Sequence, residues 1–290
     1  MHTDHIEKKL GSVFVIAIGL FILEIVGGIL SNSLALIADS FHILLDVAAI
    51  GISLVAFRIA KRPHSSTLTF GFHRIEIIAA FINGISLVAI AAFIFYEAYR
   101  RFLDPPEIRI ETLLIVASIG LCVNIVMAFM LKKESGSNLN VKGSYVHVLG
   151  DLLSSIGVII AAILIFFLNN FIIDTLVSIG IGFLIIRSGM ILCKECLHVF
   201  MEGTPKEIKI GEVSRELEKF DEITGVHDVH VWTLTSNVFA MSAHVKVKQE
   251  FIQNSNALLK KINQIMKEQF GINHCTIQIE SEHDLIHPDK

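Results

Sequence analysis

The feature that most constrains this chain is a succession of apolar runs, each long enough to cross a bilayer. A spanning helix needs about 20 largely apolar residues at 1.5 Å rise each, and six segments satisfy this: 11–31, 36–58, 76–99, 111–131, 143–168 and 171–193. Hydrocarbon offers no water to backbone N–H and C=O groups, so such runs predict six transmembrane α-helices. The hydrophobic fraction of 53% and mean hydropathy of +0.64 agree. The first run lacks a small-residue cleavage site before the second and is expected to stay as a helix.

The apolar runs stop near MEGTPKE at 201–207, beyond which Lys and Glu are spread as in a soluble sequence. Residues 1–200 are therefore expected to form the membrane domain and 201–290 a separate domain. An even number of spans puts both termini on one side. Lys8, Lys9, Arg58, Lys61, Arg62, Arg74, Lys132, Lys133, Lys142 and Lys194 collect on that side, against Arg100, Arg101 and Arg109 on the other. The excess of positive charge makes the first side cytoplasmic, together with residues 201–290.

A net charge of -4 without a basic stripe gives a nucleic-acid partner no support. Cys122, Cys193, Cys196 and Cys275 do not form a secreted disulfide framework, and reduced thiols are expected.

Two of the apolar runs carry the same expensive interruption. His42 and Asp46 in span two are four residues apart, on one helical face, and His147 and Asp151 in span five repeat the spacing in the same order. An aspartate at the centre of a membrane helix costs at least about 2.5–3.5 kcal/mol on insertion scales. The plain alternative is an Asp paired with one Arg or Lys, and the spans are expected to hold no such basic partner. If spans two and five pack side by side, the four side chains offer two imidazole nitrogens and two carboxylates around one point. Zn²⁺ accepts that tetrahedral set, at bond lengths of about 2.0–2.2 Å.

Ligands must lose their protons to hold the metal, and free histidine titrates near about pH 6.5. Arriving zinc thus expels protons, and arriving protons expel zinc. A site that binds either ion and opens alternately to each side is an antiporter. A metalloenzyme would need an open coordination position and a general base, and neither an HExxH motif nor a spare carboxylate beside the four ligands is present. An enzyme is not expected, nor an organic cofactor. A metal sensor, binding zinc without flux, is the other alternative. Glu24 in span one reads equally as a paired structural group or as part of the ion path, while Asn83 and Asn124 are expected to make interhelical hydrogen bonds.

In the soluble part, residues 207–220 read as an amphipathic helix with Ile210, Val213, Leu217 and Phe220 on one stripe. Strand alternation follows: Phe239, Met241, Ala243, Val245 and Val247 against Ser242, His244, Lys246 and Lys248. A second helix is expected over 254–269, stopped by Gly271, then a strand CTIQIE with Thr276, Gln278 and Glu280 on its polar face. With a strand from GVHDVHVWTL, the order is αββαβ.

ADSFHILLD, TFGFHRIEIIAAFING, SYVHVLGD, GVHDVHVWTL and HCTIQIE together resemble a cation diffusion facilitator of the zinc-transporter type, over about residues 10–281. The resemblance implies a homodimeric Zn²⁺/H⁺ antiporter with six helices per protomer and a ferredoxin-like cytoplasmic regulatory domain. It implies that His42, Asp46, His147 and Asp151 form the transport site, with His42 in place of an aspartate favouring zinc over cadmium. Asp39, in the same motif, is expected on the approach to the ion path. His227, His244 and Glu280 match cytoplasmic zinc-binding positions, so Zn²⁺ is expected as substrate and as regulatory ion. Two further ligand positions of the family hold Asn256 and Gln278.

An interface metal site in one branch of the family lies between spans two and three. His64 and His73 are available there, with Phe72 at the usual histidine position. Cys193 and Cys196, and His283 and His287 in the tail, are weaker signals, expected to serve packing and solvation. The loop over 131–143 lacks the histidine-rich insertion of many eukaryotic relatives, which points to a bacterial cytoplasmic membrane.

Overall fold

The computed structural model describes residues 2–60, 66–132, 139–235 and 237–281. Each predicted span is a helix: α1 His2–Ser31, α2 Leu34–Ala60, α3 Ile75–Leu103, α4 Ile110–Lys132, α5 Leu139–Leu168 and α6 Ile172–Phe200. Five of them, α1 and α3 to α6, have described apolar stretches long enough to cross a membrane. In α2, a helix of 27 residues, the described apolar stretch is Leu34–Leu45. Then follow α7 Ile210–Leu217, β1 Ile223–Thr235, β2 Val238–Val247, a 3₁₀ turn at Gln249–Asn254, α8 Ser255–Phe270 and β3 Ile272–Ser281. The chain divides into two compact units, Met1–Val55 with Ala80–Cys193, and Ala56–Ala79 with Lys194–Lys290.

The first unit is a helical body with a core around Leu36, Ala91, Ile94, Leu113, Ala162 and Ile165. Many of its large outward side chains are apolar, among them Val15, Phe129 and Phe167, as suits a lipid-facing surface. Without a hydrophobic drive between helices in lipid, close approach depends on small residues. A Cβ on Gly84 of α3 would lie 2.7 Å from Cys193 Sγ and 3.3 Å from Gly189 O of α6. Cys193 is thus a packing residue where two backbones nearly touch.

The turn between α1 and α2 is held by α6. Asp174 Oδ1 accepts from Ser33 Oγ at 2.5 Å, and its Oδ2 accepts from the backbone N–H of Leu34 at 2.7 Å. A carboxylate from another helix therefore caps α2, an arrangement worth about 1 kcal/mol in ordinary caps. Arg101 donates to Asn32 O at 2.7 Å and to Glu97 Oε1 at 3.0 Å, closing the same corner. The expectation of spans free of basic residues is corrected by Arg187, which sits exposed within α6 and makes no ion pair among the described residues.

In the second unit β1 and β2 are antiparallel, β2 and β3 parallel, in the order β1-β2-β3. A parallel pair requires a crossover, and α8 supplies it. Val213, Leu217, Met241, Val245, Ile262 and Met266 form the core between helices and sheet. This is the expected αββαβ order. The first helix is shorter than the expected 207–220: tight turns bonding Phe220 N to Leu217 O and Ile223 N to Phe220 O redirect the chain into β1. Phe220 still packs against the core, from the turn. Gly271, at φ +67°, ends α8 in the left-handed conformation that glycine adopts without strain.

Candidate metal centres

Helical periodicity brings residues distant in sequence together in the first unit. His42 Nε2 of α2 lies 3.7 Å from Asp151 Oδ1 of α5, with side-chain exposures of 26% and 11%. Asp46 and His147 have their backbones in α2 and α5, but their side chains lie outside the described residues. Asp39, three residues before His42, is 2% exposed, and its Oδ1 accepts from Ser154 Oγ of α5 at 2.6 Å. One turn along α5 from Asp151, Ser155 Oγ accepts from Asn124 Nδ2 of α4 at 3.0 Å. The two expected metal-bearing helices are therefore linked by a buried polar seam, and Asn124 makes the interhelical bond expected of it.

In the second unit the polar face of the sheet carries a tighter cluster. His227 pairs with His244 across β1 and β2, and Lys246 of β2 pairs with Glu280 of β3. His227 Nε2 lies 2.9 Å from Glu280 Oε2, and His244 Nδ1 lies 2.6 Å from Glu280 Oε1. One ligand atom from each of the three falls within 4.8 Å of the others. Two imidazoles and a carboxylate match the donor types and number of a zinc site that keeps a fourth position open. Partial burial pushes the Glu280 carboxyl up, but the hydrogen bonds to His244 and His227 outweigh it and hold its pKa below the usual carboxylate value.

Two neighbours went unread in the sequence. Asp228 has φ +49° within a register shift between His227 and His230, a β-bulge that turns His230 opposite Ser242, on the polar face with His244. Asp228 Oδ1 is 2.8 Å from His230 Nε2, and its Oδ2 is 3.7 Å from His244 Nε2. The signal was the Asp inside HDVH, since Asp tolerates a left-handed backbone better than most residues.

Of the remaining expected positions, Gln278 touches this cluster while Asn256 and His73 stand elsewhere. Gln278 donates to Glu280 Oε1 at 3.2 Å, Asn256 is exposed, and His73 sits in the turn before α3. His64, His283 and His287 lie outside the described residues. The sheet also contacts that turn and the start of α3. Thr235, the last residue of β1, hydrogen-bonds Glu76 of α3, and the Phe70 ring meets His274 of β3 edge-on at 5.9 Å.

Comparison with known proteins gives the following. A family model described as the cation efflux transmembrane domain matches residues 12–201, and one described as the cytoplasmic domain of cation efflux proteins matches 205–282. A cadmium, cobalt and zinc/H⁺-K⁺ antiporter of Bacillus subtilis is 39% identical over 285 residues, covering 97% of this chain and 91% of that protein. The zinc transporter ZitB of Escherichia coli is 37% identical over 279 residues, 96% of this chain and 88% of ZitB. The solved metal-bound C-terminal domain of the CzcD transporter from Cuprividus metallidurans is 27% identical and covers 25% of this chain and 99% of that one, with a TM-score of 0.24.

Proposed function

The chain belongs to the cation efflux family, and from that premise we propose that it exports Zn²⁺ from the cytoplasm in exchange for H⁺ by alternating access. It is an integral, multi-pass membrane protein and acts as a homodimer. Residues 1–200 are assigned the transport role and 201–290 a cytoplasmic regulatory role, with both termini in the cytoplasm of a bacterial cell. Transport rather than catalysis is what the family indicates.

The observation that carries the reading is the approach of His42 to Asp151 across two membrane helices. With Asp46 and His147 they are the proposed cage for the zinc cargo. Two carboxylates neutralise the dication, and the two histidines complete a tetrahedral set that replaces its water shell. Each ligand binds only when deprotonated, so one site exchanges Zn²⁺ for protons at each opening. Asp39, fixed by Ser154, is proposed to line the approach. His73 is proposed as a minor interface position, since it stands one residue beyond the family's usual histidine.

His227, His244 and Glu280 would hold a regulatory zinc, with Zn²⁺ supplying a bond that ties the three strands together. Glu280 already orients both imidazoles, which lowers the cost of assembling the site. Thr235 with Glu76, and Phe70 with His274, then give the sheet a route to α3. A second reading, export of cadmium and cobalt as well, is favoured by the printed name of the Bacillus subtilis relative.

The test is zinc uptake into liposomes carrying the purified chain under an opposing proton gradient. Uptake is expected for the native chain and lost for Asp46→Ala and Asp151→Ala; unchanged uptake in both variants sinks the assignment. Competition with cadmium and cobalt separates the narrow from the broad range.

A further inference from the structure

The seam between α1 and α4 holds two buried polar atoms without a hydrogen-bond partner among the described residues, Glu24 Oε2 and Asn124 Oδ1. Glu24 and Asn124 are each 1% exposed. Both orphan atoms are acceptors when Glu24 is ionised, so a donor is missing from the seam. The Asn124 amide nitrogen is already committed to Ser155 Oγ at 3.0 Å.

The room is specific. A Cβ on Gly120 of α4 would come within 2.7 Å of Glu24 Oε1, whereas Gly27 of α1 meets Val116 of α4. The two helices therefore run antiparallel. Side chains lean toward the N-terminus of their own helix, which on α1 carries Glu24 past Gly120 toward the level of Asn124, one turn further along α4. The titratable groups that face Glu24 from the packed elements are Asp39 of α2 and Asp151 of α5, and the charge of both acts on it. α4 contributes the uncharged Asn124.

We propose that Glu24 is a proton-binding site of the transport cycle, separate from the metal ligands and coupled to them through charge. A hard metal cation takes about six to eight oxygens, far more than this seam presents. A single proton makes Glu24 an O–H donor, the kind of group the seam lacks. With the metal site empty, Asp39 and Asp151 surround Glu24 with negative charge. When Zn²⁺ binds at Asp151 its two positive charges reverse that field, and Glu24 gives up its proton. One Zn²⁺ enters and one proton leaves from a group that never touches the metal.

This rests on the antiport reading, and the experiment separates the two. Zinc is added to the full-length protein in a weakly buffered indicator solution, and protons released per zinc bound are counted. Glu24→Gln, which mimics the neutral acid, is expected to bind zinc and release about one proton fewer per protomer. Gly120→Ala, which displaces the carboxylate, is expected to reduce the release partially. In the native chain a carbodiimide specific for protonated buried carboxyls should modify Glu24, located by mass spectrometry, and zinc should protect it. Unchanged proton release in Glu24→Gln, or no modification of Glu24, overturns the inference even where the native chain antiports. If the native chain fails to move zinc against a proton gradient, the antiport reading itself falls.

Discussion

The two candidate metal centres are built from the same residue types in opposite surroundings. His42 and Asp151 come from two helices among apolar side chains, joined to Asp39, Ser154 and Asn124 by a buried seam. His227, His244 and Glu280 stand on the polar face of a sheet, with side-chain exposures of 21%, 30% and 15%, already hydrogen-bonded to one another. Charge in hydrocarbon is costly, so the membrane cluster needs a cation or protons to offset its carboxylates, and exchanging one for the other is its proposed chemistry. The sheet cluster borders water, which suits the proposed role of filling or emptying with zinc. The proposed cargo and regulatory sites thus differ by burial rather than by residue type.

The sharpest way to break this comparison is to delete one carboxylate from each centre. Asp151→Ala is expected to lower zinc uptake into liposomes at least about 100-fold, since a cage short of one anion no longer neutralises the dication. Glu280→Ala is expected to weaken zinc binding at the sheet about 10- to 100-fold while uptake at saturating zinc stays within about tenfold of native. Equal losses of uptake in the two variants would show that the centres are one functional unit.

His42→Asp is expected to have a smaller effect on rate and a larger one on choice. Exchanging an imidazole for a third carboxylate, which can bind through one oxygen or two, relaxes the geometry toward a larger cation, so the ratio of zinc to cadmium uptake should fall by about tenfold. A ratio that stays at the native value would remove His42 from the basis of selectivity.

The contrast between the centres also decides what could be read in advance. The approach of His42 to Asp151 was legible because an aspartate in an apolar run has few structural uses, and helical spacing fixes its face from the sequence alone. In the sheet, strand alternation over 239–247 put His244 on the polar face, while His227 and Glu280 joined it through the family resemblance. Alternation failed at Asp228, where the bulge puts both His227 and His230 on the polar side. Asp174 gave no signal as the cap of α2 because its partner Ser33 is 141 residues away. Glu24 stayed open for the same reason, since its role depends on Gly120 and Asn124 of a helix packed by tertiary contact. Asp228→Asn is the corresponding test: zinc affinity at the sheet is expected to fall only about tenfold, the low end of the range for an orienting neighbour whose shape is kept. A loss equal to that of Glu280→Ala would make Asp228 a ligand.

The smallest effect is expected at Cys275, and it asks whether the sheet exists before its metal. This residue lies on the core side of β3, opposite Met241, and burial pushes its thiol up to about 11, against about 8.5 for a free thiol. The native chain holds this proton more tightly than the unfolded one, so the contribution to stability is full below about pH 8.5 and is lost as pH rises toward 11. At pH 8 the thiolate is scarce, and alkylation of Cys275 should be about 100-fold slower than in denaturant. A sheet that only displays its ligands keeps that protection when zinc is chelated, changing the rate by less than about twofold. A sheet that zinc assembles would lose it, and Cys275 would react with chelator at nearly the denatured rate. The core of Val213, Leu217, Met241, Ile262 and Met266 is built without any ligand residue, which is why protection without metal is the expected result.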